Sequence, residues 1–393
     1  MKIVHVITDL SIGGAETMLV RLIRTSRRDG LQHVVISLSP QAPLANRISM
    51  LGVEVRILGM NNGLPSARLF RKLAQWLDEL EPDVVQTWMY HADFMGGAAT
   101  YAAQLARWFR GSRIKRPALI WGIHHTDLRL TGSSRATRWV ARSCALVSSV
   151  VPDVIVCCAE AARLSHHRGG YCAQRMTVIH NGIDLERFRA NPASRESLRQ
   201  SLGIDEDVPL VGVIGRYHLV KDYGTFISAM REVLDTIPQC RFVMAGHGLD
   251  QSNSELTALL DNSGLSHACH LLGPQPEPQT LLAALDVFCL SSRSEGLPTV
   301  IGEAMACEVP CVATDVGDTA FLIGATGCVV PAENPQALGR ALSAMLNQSR
   351  TERMALGRAA RNRVLSLFSM EASWQRYEKT YVETMAKRQQ PAT

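Results

Sequence analysis

SRSEGLPTVIGEAM (residues 292–305) follows the short apolar run DVFCL (286–290), and this change from strand-like to helix-like sequence decides the fold. The Gly-Leu-Pro bend brings backbone N–H groups to the start of a helix, and Pro298 suits the first helical position because its missing donor costs little there. A helix N-terminus after a tight bend binds anions, since unpaired N–H groups and the positive end of the helix dipole converge. The segment therefore predicts a phosphate-binding loop.

Two carboxylates, Glu295 and Glu303, bracket this bend. We expect Glu295 in the bend itself and Glu303 about one and a half turns inside the helix. Such a pair in isolation usually means two solvated charges. The preceding apolar strand and the bend favour a functional pair, in which Glu295 meets a sugar and Glu303 a ribose.

Residues 1–181 alternate short apolar runs with longer amphipathic stretches. The runs are KIVHVI (2–7), HVVISL (33–38), VEVRIL (53–58), DVVQTWM (83–89), ALIWGI (118–123), VIVCCA (154–159) and MTVIH (176–180). This alternation predicts a parallel, doubly wound sheet, in which ligands bind outside the carboxyl ends of the strands.

The second half opens in the same way with PLVGVIGRYHLVKD (209–222), where Arg216 and Lys221 follow an apolar strand. Two permanent cations beside one loop suit a diphosphate.

The segment EGLPTVIGEAMACEVPCVATDVG (295–317) resembles the signature of retaining glycosyltransferase family 4, whose members have the GT-B fold. GGAE (13–16), HNGIDLERF (180–188) and the G-R-x4-K spacing at 215–221 extend the resemblance over most of the chain. It implies an α/β architecture of two Rossmann-like, doubly wound parallel-sheet domains facing a cleft. We place them at 1–181 for the acceptor and 206–368 for the nucleotide sugar. A linker over 182–205 would join them, and a helix and tail over 369–393 would follow, the helix crossing back to the first domain in many GT-B proteins.

The resemblance also assigns residues to the reaction. The catalytic set is Arg216, Lys221, Glu295 and His125. The donor-binding set adds Gly14, Gly215, Leu272, Gly296, Leu297, Pro298, Thr299, Val300 and Glu303. His247 departs from the acidic residue that relatives commonly carry between the glycines of AGHG (245–248). That departure leaves its contact with base or ribose open.

The acceptor is expected after the fourth strand, where WMYHADFMGG (88–97) offers aromatic and polar side chains, and after the fifth. The candidates are Tyr90, His91, Asp93 and His124. A buried aromatic cluster with Asp93 as a helix cap explains the same residues equally well. Adjacent strand residues point to opposite sides, so at most one of His124 and His125 need face the cleft.

The implied reaction moves a sugar, an N-acetylhexosamine or related hexose, from a UDP-sugar donor to an acceptor with retention of configuration. Arg216 and Lys221 would stabilise the departing diphosphate, so we expect no cofactor and no essential metal. WMYHADFMGG, IWGIHHTDL and VIVCCAEAAR resemble the bacterial branch that builds lipopolysaccharide O-antigen, capsule or exopolysaccharide. Its acceptors are saccharides on a polyprenyl diphosphate.

Charge is uneven along the chain. Residues 1–181 carry 22 Lys and Arg against 12 Asp and Glu, whereas the remainder carries 19 against 24. Basic residues recur in three clusters: Arg21, Arg24, Arg27 and Arg28; Arg68, Arg71 and Lys72; and Arg107, Arg110, Arg113, Lys115 and Arg116. Solvated helix faces explain each cluster alone, but together they predict attraction to an anionic membrane surface. No nucleic-acid-binding module is recognisable, so we expect no nucleic acid partner.

No apolar run of membrane-spanning length and no signal peptide is recognisable, which predicts a cytoplasmic protein, peripheral on the inner face of the cell membrane. The ten cysteines lack metal-ligand spacing and are expected to be reduced core residues.

Three alternatives remain open. A GT-B nucleotide-sugar epimerase would use the same fold without an acceptor, and incubation with UDP-sugar alone would reveal it. A non-catalytic sugar-nucleotide-binding assembly protein would bind donor without turnover. A transferase with a soluble acceptor would differ in membrane pelleting.

Overall fold

The computed structural model describes residues 1–11, 13–27, 30–61, 66–111, 116–126 and 134–389. The chain divides into two compact units. The first comprises Met1–Gly182 together with Met370–Thr393, and the second is Ile183–Ser369. Two parallel-sheet, Rossmann-like domains are therefore confirmed as the fold. Arg28, Arg113, Lys115 and the last four residues of the expected tail lie outside the described ranges.

The first unit is built on a seven-stranded sheet in the order β3-β2-β1-β4-β5-β6-β7, and every neighbouring pair is parallel. The strands are β1 (Lys2–Ile7), β2 (Gln32–Ser37), β3 (Glu54–Ile57), β4 (Val84–Trp88), β5 (Ala118–Ile123), β6 (Val154–Cys157) and β7 (Met176–Val178). The helices described in this unit are α1 (Gly14–Ser26), α2 (Ala45–Ser49), α3 (Ala67–Leu80), α4 (Tyr90–Phe109), α5 (Arg135–Val147), α6 (Glu160–Arg168) and the C-terminal α15 (Met370–Gln389). A 3₁₀ turn covers Ala173–Arg175. Each predicted apolar run forms a strand. The five inner strands are almost wholly buried, as in a parallel sheet covered on both faces, whereas the edge strands β3 and β7 are partly exposed.

The C-terminal helix α15 completes the core of the first unit. Trp374, Tyr377 and Tyr381 are buried in the same apolar cluster as the α1 side chains. The Tyr381 hydroxyl donates to Gln86 Oε1 at 3.3 Å, and Ser373 Oγ donates to the His180 carbonyl at 2.9 Å. Helix α15 is thus fixed both by apolar burial and by hydrogen bonds to polar groups of the same unit.

The second unit has a six-stranded parallel sheet in the order β10-β9-β8-β11-β12-β13. Its strands are β8 (Leu210–Ile214), β9 (Arg241–Ala245), β10 (Cys269–Gly273), β11 (Val287–Leu290), β12 (Cys311–Thr314) and β13 (Gly327–Val330). Its helices are α7 (Pro192–Ser201), α8 (Tyr223–Thr236), α9 (Ser254–Asn262), α10 (Pro278–Ala284), α11 (Thr299–Ala306), α12 (Thr319–Ile323), α13 (Pro335–Asn347) and α14 (Arg350–Leu367). Short 3₁₀ turns cover Leu219–Lys221 and Ser266–Ala268.

The segment expected as a linker, 182–205, differs from that expectation. Most of it belongs to the second unit, where α7 packs on α10. Arg199 is 2% exposed, and its guanidinium donates to the Ala284 carbonyl at 3.0 Å and the Asp205 carbonyl at 2.9 Å. It also pairs with Asp286 Oδ2 at 3.3 Å. A polar-looking sequence is therefore docked through one buried arginine, which composition alone does not reveal.

The expected C-terminal helix is α15, and it is separated from α14 where the Ile183 N–H donates to the Phe368 carbonyl at 2.7 Å. One helix start differs from the sequence prediction. Pro298 is the N-cap residue of α11, with φ −72° and ψ 91°, so the helix begins at Thr299, one residue later than predicted. Its extended ψ lets the chain enter the helix from the bend.

All ten cysteines are free, and seven of them are buried. Within the described ranges, no helix is long and apolar enough to cross a bilayer.

Replacing Arg199 with alanine should destabilise the second unit by roughly 3 kcal/mol, because it leaves Asp286 and the buried carbonyls short of a charged donor. Urea unfolding monitored by circular dichroism measures the change. Glu196→Ala, an exposed change on the same helix, is the control and should alter the free energy of unfolding by less than about 0.5 kcal/mol. Equal effects from the two variants would contradict the docking role of Arg199.

Candidate active site

The second unit has its topological switch point at β8, whose neighbours in the sheet are β9 on one side and β11 on the other. In open parallel sheets a crevice forms at such a point, outside the carboxyl ends of the strands. Residues 215–222 leave β8 there, and residues 291–298 leave β11. The two segments predicted to bind phosphate therefore emerge from neighbouring strands.

The two segments meet through Lys221 and Glu295. Lys221 Nζ lies 2.7 Å from Glu295 Oε1, and Ser292 Oγ donates to the same oxygen at 2.6 Å. The Lys221 and Glu295 side chains are 23% and 15% exposed, so the pair is partly shielded from water but open to a ligand. Desolvation strengthens such a pair above an exposed one. The sequence predicts separate ligand contacts for Lys221 and Glu295, but their side chains form an ion pair with each other.

The loop that carries Glu295 is also fixed from its other side, beyond β12. Thr314 Oγ1 donates to the Ser292 carbonyl at 2.6 Å, and the Asp318 N–H donates to the Gly296 carbonyl at 2.8 Å. Gly317 has φ +58°, and a Cβ there would overlap the carbonyl oxygens of Glu295 and Gly296. Only glycine therefore allows this close backbone approach.

Gly215 and Arg216 lie at the end of β8. A Cβ on Gly215 would come within 3.0 Å of the Tyr223 hydroxyl and 3.5 Å of Lys221 Cε, so glycine makes room for the lysine stem. Arg216 is exposed and forms no hydrogen bond or ion pair with the described part of the chain. The loop thus presents one cation held by a carboxylate and a second cation open to solvent.

Helix α11 begins immediately after the bend, with Thr299 and Val300 in its first turn. Glu295 lies in the bend, and Glu303 is the fifth residue of the helix with a half-buried side chain, as the spacing predicts. Leu297 is buried. Helix α11 directly follows the segment that carries Glu295, so its N-terminal end adds positive potential beside the Lys221–Glu295 pair.

Leu272 and His247 lie on the neighbouring strand ends. Leu272 is skipped in the pairing of β10 with β9, and its carbonyl accepts from Gln275 Nε2 at 2.9 Å. Its backbone is therefore at a bulge and already carries one hydrogen bond. His247 is exposed, and its carbonyl accepts from the Tyr217 N–H at 2.7 Å.

In the first unit the corresponding switch point is at β1, between β2 and β4. Gly13 is the N-cap residue of α1 and Gly14 its first residue. A Cβ on Gly14 would meet no atom within 4 Å, and the residue is exposed. The start of α1 is thus open at this edge of the sheet.

Two of the four predicted acceptor residues are interior. Tyr90 is 1% exposed, and its hydroxyl lies 2.7 Å from His166 Nε2. Asp93 is fully buried and accepts from Thr87 Oγ1 at 2.5 Å and from the Gly122 N–H at 3.3 Å. Direct contact of these side chains with a substrate does not fit their burial, so we assign both to the core. This arrangement matches the alternative of a buried aromatic cluster, although Asp93 lies inside α4 rather than at its cap.

The adjacent rings of His124 and His125 have different neighbours. His124 stacks on Trp88 with ring centroids 4.9 Å apart, and His125 stacks on Tyr90 at 6.2 Å. The ring nitrogens of His124 are enclosed without a hydrogen-bond partner among the described residues. Desolvation, with a smaller effect from His125, lowers the pKa of His124 to about 3, so its imidazole is neutral. His91 is half-buried, and desolvation lowers its pKa as well.

Comparison with known proteins supplies the family. The family model "Glycosyltransferase Family 4" matches residues 12–187, and "Glycosyl transferases group 1" matches residues 194–363. The protein is a glycosyltransferase with the GT-B fold.

Relatives and solved structures agree with this identity. EpsF of Bacillus subtilis (strain 168) is 26% identical to this chain, and the match covers 80% of this chain and 79% of EpsF. The lipopolysaccharide core biosynthesis mannosyltransferase LpsB of Rhizobium meliloti (strain 1021) is 31% identical over 44% of this chain, which spans half of LpsB. The crystal structure of Anabaena Alr3699/HepE in complex with UDP superposes with a TM-score of 0.82, at 21% identity, over 98% of this chain and all of HepE. This last likeness concerns the fold.

No group of three or more metal-ligating side chains comes together in the described part of the glycosyltransferase. Asp205 and Asp207 have an Asp-x-Asp spacing that the sequence argument passed over. The intervening Glu206 is bound by Arg195 at 2.9 Å and Arg350 at 2.7 Å, which makes this segment part of a surface ion-pair network. Whether the reaction needs a metal stays a prediction.

Sequence reasoning missed the residues that hold the site of the glycosyltransferase in place. Ser292 and Thr314 look like ordinary hydroxyls in sequence, and Arg293 and Asp222 look like surface charges. Gly317 is recognisable from the sequence, since a glycine three residues after a strand end suggests a close backbone approach. The remaining contacts depend on which strands become neighbours, and periodicity does not encode that order.

Asp93→Asn should change how stability depends on pH. Burial raises the pKa of Asp93 to about 8, against the opposing effect of the Thr87 and Gly122 hydrogen bonds. Between about pH 4 and pH 8 the unfolded chain releases a proton that the folded chain keeps, so this carboxyl makes stability fall as pH rises through that window. The wild-type Tm should therefore fall between pH 6.5 and 8, and the Tm of Asp93→Asn should fall less.

Scanning calorimetry over that range measures the slope, above the region in which the buried histidines titrate. Asp235→Asn, an exposed change on α8, is the matched control and should keep the wild-type slope. Parallel curves for the wild type and Asp93→Asn would show that Asp93 is ionised in the folded protein.

Proposed function

We propose that this glycosyltransferase transfers a hexose, an N-acetylhexosamine or a related sugar, from a UDP-sugar to a lipid-linked saccharide in O-antigen, capsule or exopolysaccharide synthesis. The observation that carries the donor part is the Lys221–Glu295 pair, 2.7 Å apart at the β8–β11 switch point beside the exposed Arg216. Two cations and a helix N-terminus at one loop provide the charge and the N–H donors that a diphosphate needs.

The reaction breaks the bond between the anomeric carbon and the diphosphate oxygen and forms a bond from that carbon to the acceptor oxygen. Negative charge develops on the diphosphate as the bond breaks. Lys221, Arg216 and the first N–H groups of α11 would stabilise this charge more in the transition state than in the ground state. In the proposed mechanism the acceptor attacks the face that the diphosphate leaves, and a diphosphate oxygen takes its proton, which gives retention of configuration.

Glu295 fits a substrate-binding role better than a nucleophilic one. Its Oε1 already accepts from Ser292 and pairs with Lys221, which lowers its nucleophilicity and fixes its direction. A carboxylate held in this way accepts hydrogen bonds from sugar hydroxyls. We therefore assign Glu295 to the donor sugar and leave the ribose to Glu303, as the family resemblance suggests.

The names of similar proteins support the substrate classes without deciding them. Solved structures of HepE contain UDP, UDP with glucose, and UDP-glucose. LpsB is named for the lipopolysaccharide core. Uridine diphosphate sugars and a lipid-linked saccharide are the donor and acceptor classes that these names share with the family resemblance.

Lys221→Ala and Arg216→Ala should each lower kcat/KM. The decrease should correspond to a loss of about 2 to 4 kcal/mol of transition-state stabilisation, the range for removing one charge-stabilising donor. The assay is release of UDP from a panel of UDP-sugars, run in EDTA because the proposed mechanism has no metal ion. Arg340→Ala removes an exposed cation elsewhere in the same unit and is the control. Near-wild-type turnover in both site variants would contradict the assignment of Lys221 and Arg216 to the diphosphate.

The acceptor's lipid is proposed to reach the enzyme at a membrane, and one face of the first unit fits that role. Helix α4 exposes Tyr101, Leu105, Trp108 and Phe109 along one side. Tyr101 Oη donates to the Val151 carbonyl at 3.1 Å, so this side adjoins the turn after α5. We call the exposed apolar residues of α4, α5 and this turn the apolar face. Its α5 members are Trp139, Leu146 and Val147, and Val150 belongs to the turn.

The charge of α5 complements an anionic surface. Arg135, Arg138 and Arg142 are exposed at helical spacing, and α5 contains no acidic residue. Aromatic side chains beside arginines are typical of helices that lie in the interface of an anionic bilayer. We therefore place the membrane contact of the proposal on α4 and α5.

This location corrects the sequence expectation for the third basic cluster. Arg107 is largely buried and pairs with Asp78 at 2.5 Å, and Arg110 reaches the same carboxylate at 2.6 Å. Both arginines are paired with a carboxylate of the same unit, so the proposal assigns the membrane contact to the arginines of α5 instead.

Arg138→Ser with Arg142→Ser should weaken binding to vesicles containing phosphatidylglycerol by about 2 kcal/mol, or roughly thirtyfold, at about 1 kcal/mol for each basic residue. Trp108→Ser with Phe109→Ser should weaken it at both low and high salt, because apolar insertion is not screened. Co-sedimentation with anionic and with phosphatidylcholine vesicles measures both. Arg68→Ser with Arg71→Ser on α3 is the charge-matched control, and equal losses there would contradict the location.

A further inference from the structure

A second ion pair lies beside the Lys221–Glu295 pair and joins the same two loops. Arg293 Nε lies 2.9 Å from Asp222 Oδ2, and Arg293 Nη2 donates to Asp222 Oδ1 at 3.2 Å. Asp222 follows Lys221 directly, and Arg293 precedes Glu295 by two residues. Arg293 thus makes a two-point contact with Asp222, the residue next to the proposed phosphate-binding Lys221.

Backbone contacts extend this arrangement. The Arg293 N–H donates to the Val220 carbonyl at 2.8 Å, and Ser291 Oγ donates to the Lys221 carbonyl at 2.9 Å. The turn that carries Lys221 is therefore fastened on both sides of the lysine to the segment that carries Glu295. The side-chain pair is the charged member of this set.

Asp222 has a second task that fixes its conformation. It has φ +51°, in the left-handed region, and it caps α8 by accepting from the Thr225 N–H at 3.4 Å and from Thr225 Oγ1 at 2.8 Å. Its side chain is 5% exposed, whereas that of Arg293 is 41% exposed. Aspartate and asparagine tolerate this backbone region better than other side chains with a Cβ. The buried carboxylate therefore sets both the start of α8 and the position of Arg293.

We infer that Asp222 and Arg293 are positioning residues for the diphosphate site. This inference rests on the proposed function, in which Glu295 binds the donor sugar while Lys221 binds the diphosphate. Once Glu295 shares its hydrogen bonds with a sugar, the Lys221–Glu295 contact alone holds the two loops less firmly. The Asp222–Arg293 pair keeps them in register and keeps Lys221 directed at the phosphates.

Asp222→Asn separates the charge from the helix cap, because an asparagine oxygen still accepts from Thr225 and tolerates the left-handed backbone. Arg293→Gln removes the charge from the other side, and Arg293→Lys keeps a charge without the two-point geometry. The control is Glu333→Gln. Glu333 Oε1 lies 3.3 Å from Arg293 Nε and is 63% exposed, so it is the solvent-side partner of the same arginine.

Calorimetric titration with UDP measures the site, and the Tm of each variant measures the fold. Asp222→Asn and Arg293→Gln should each raise the Kd for UDP about tenfold, and the double variant should be no worse than either single one. Arg293→Lys should recover part of the affinity. Glu333→Gln should bind UDP as the wild type does. The Tm of Asp222→Asn should stay within about 2 °C of the wild type, which a purely structural role would not allow together with tenfold weaker binding.

Several results would overturn the positioning role: wild-type affinity in Asp222→Asn and Arg293→Gln, effects that multiply in the double variant, or an equal loss in Glu333→Gln. If Arg293→Gln fails to fold, Asp222→Asn decides alone. Lys221→Ala separates this inference from the proposed function. If Lys221→Ala binds UDP like the wild type, the proposed function fails; if only Lys221→Ala binds weakly, the positioning role alone fails.

Discussion

The contact between Lys221 and Glu295 is the interaction on which the site of the second unit depends. The two residues are 74 positions apart in sequence, yet their side chains meet at 2.7 Å because β8 and β11 are neighbours in the sheet. Parallel strands deliver their following loops to one edge, and the switch in strand order at β8 leaves room between those loops. The sheet therefore supplies the location, and the loops supply the charge.

Keeping a lysine and a carboxylate beside an open crevice requires rigid loops, since a flexible ion pair loses its Coulomb gain to side-chain entropy. The structure provides this rigidity through short-range contacts. Thr314 and Gly317 hold the Glu295 loop from the β12 side, and Ser292 fixes the carboxylate itself. A ligand that enters the crevice meets charges whose positions are already set, which is the condition for electrostatic stabilisation of a leaving group.

The sequence was enough to predict both sheets, because apolar runs separated by amphipathic stretches have few other ways to bury their surface. It also predicted that Lys221 and Glu295 lie in loops after strands, and it predicted the start of α11 to within one residue, since strand ends and a glycine-proline bend mark such loops. It did less well where burial decides. Tyr90 and Asp93 suited an acceptor site and a buried cluster equally well, and they lie in the core. Arg199 was expected in a linker but is 2% exposed. The same sequence features suit both interpretations until the packing neighbours are known.

The basic clusters are a second case in which the sequence does not reveal the packing neighbours. Arg107 and Arg110 look like a basic surface in sequence, but Asp78 on the neighbouring helix α3 pairs with both. Arginines 135, 138 and 142 lie on a helix without acidic residues, and so they keep their charge for an external partner. Which basic residues are available is decided by the pairing of helices, a property of the tertiary structure.

The central claim is that the second unit recognises a diphosphate, and the affinity difference between UDP and uridine tests it most directly. Two charge-assisted contacts contribute about 3 kcal/mol together, so UDP should bind at least about a hundredfold more tightly than uridine in calorimetric titrations. Equal affinity for the two ligands would contradict the claim, because the base and ribose would then account for all of the binding.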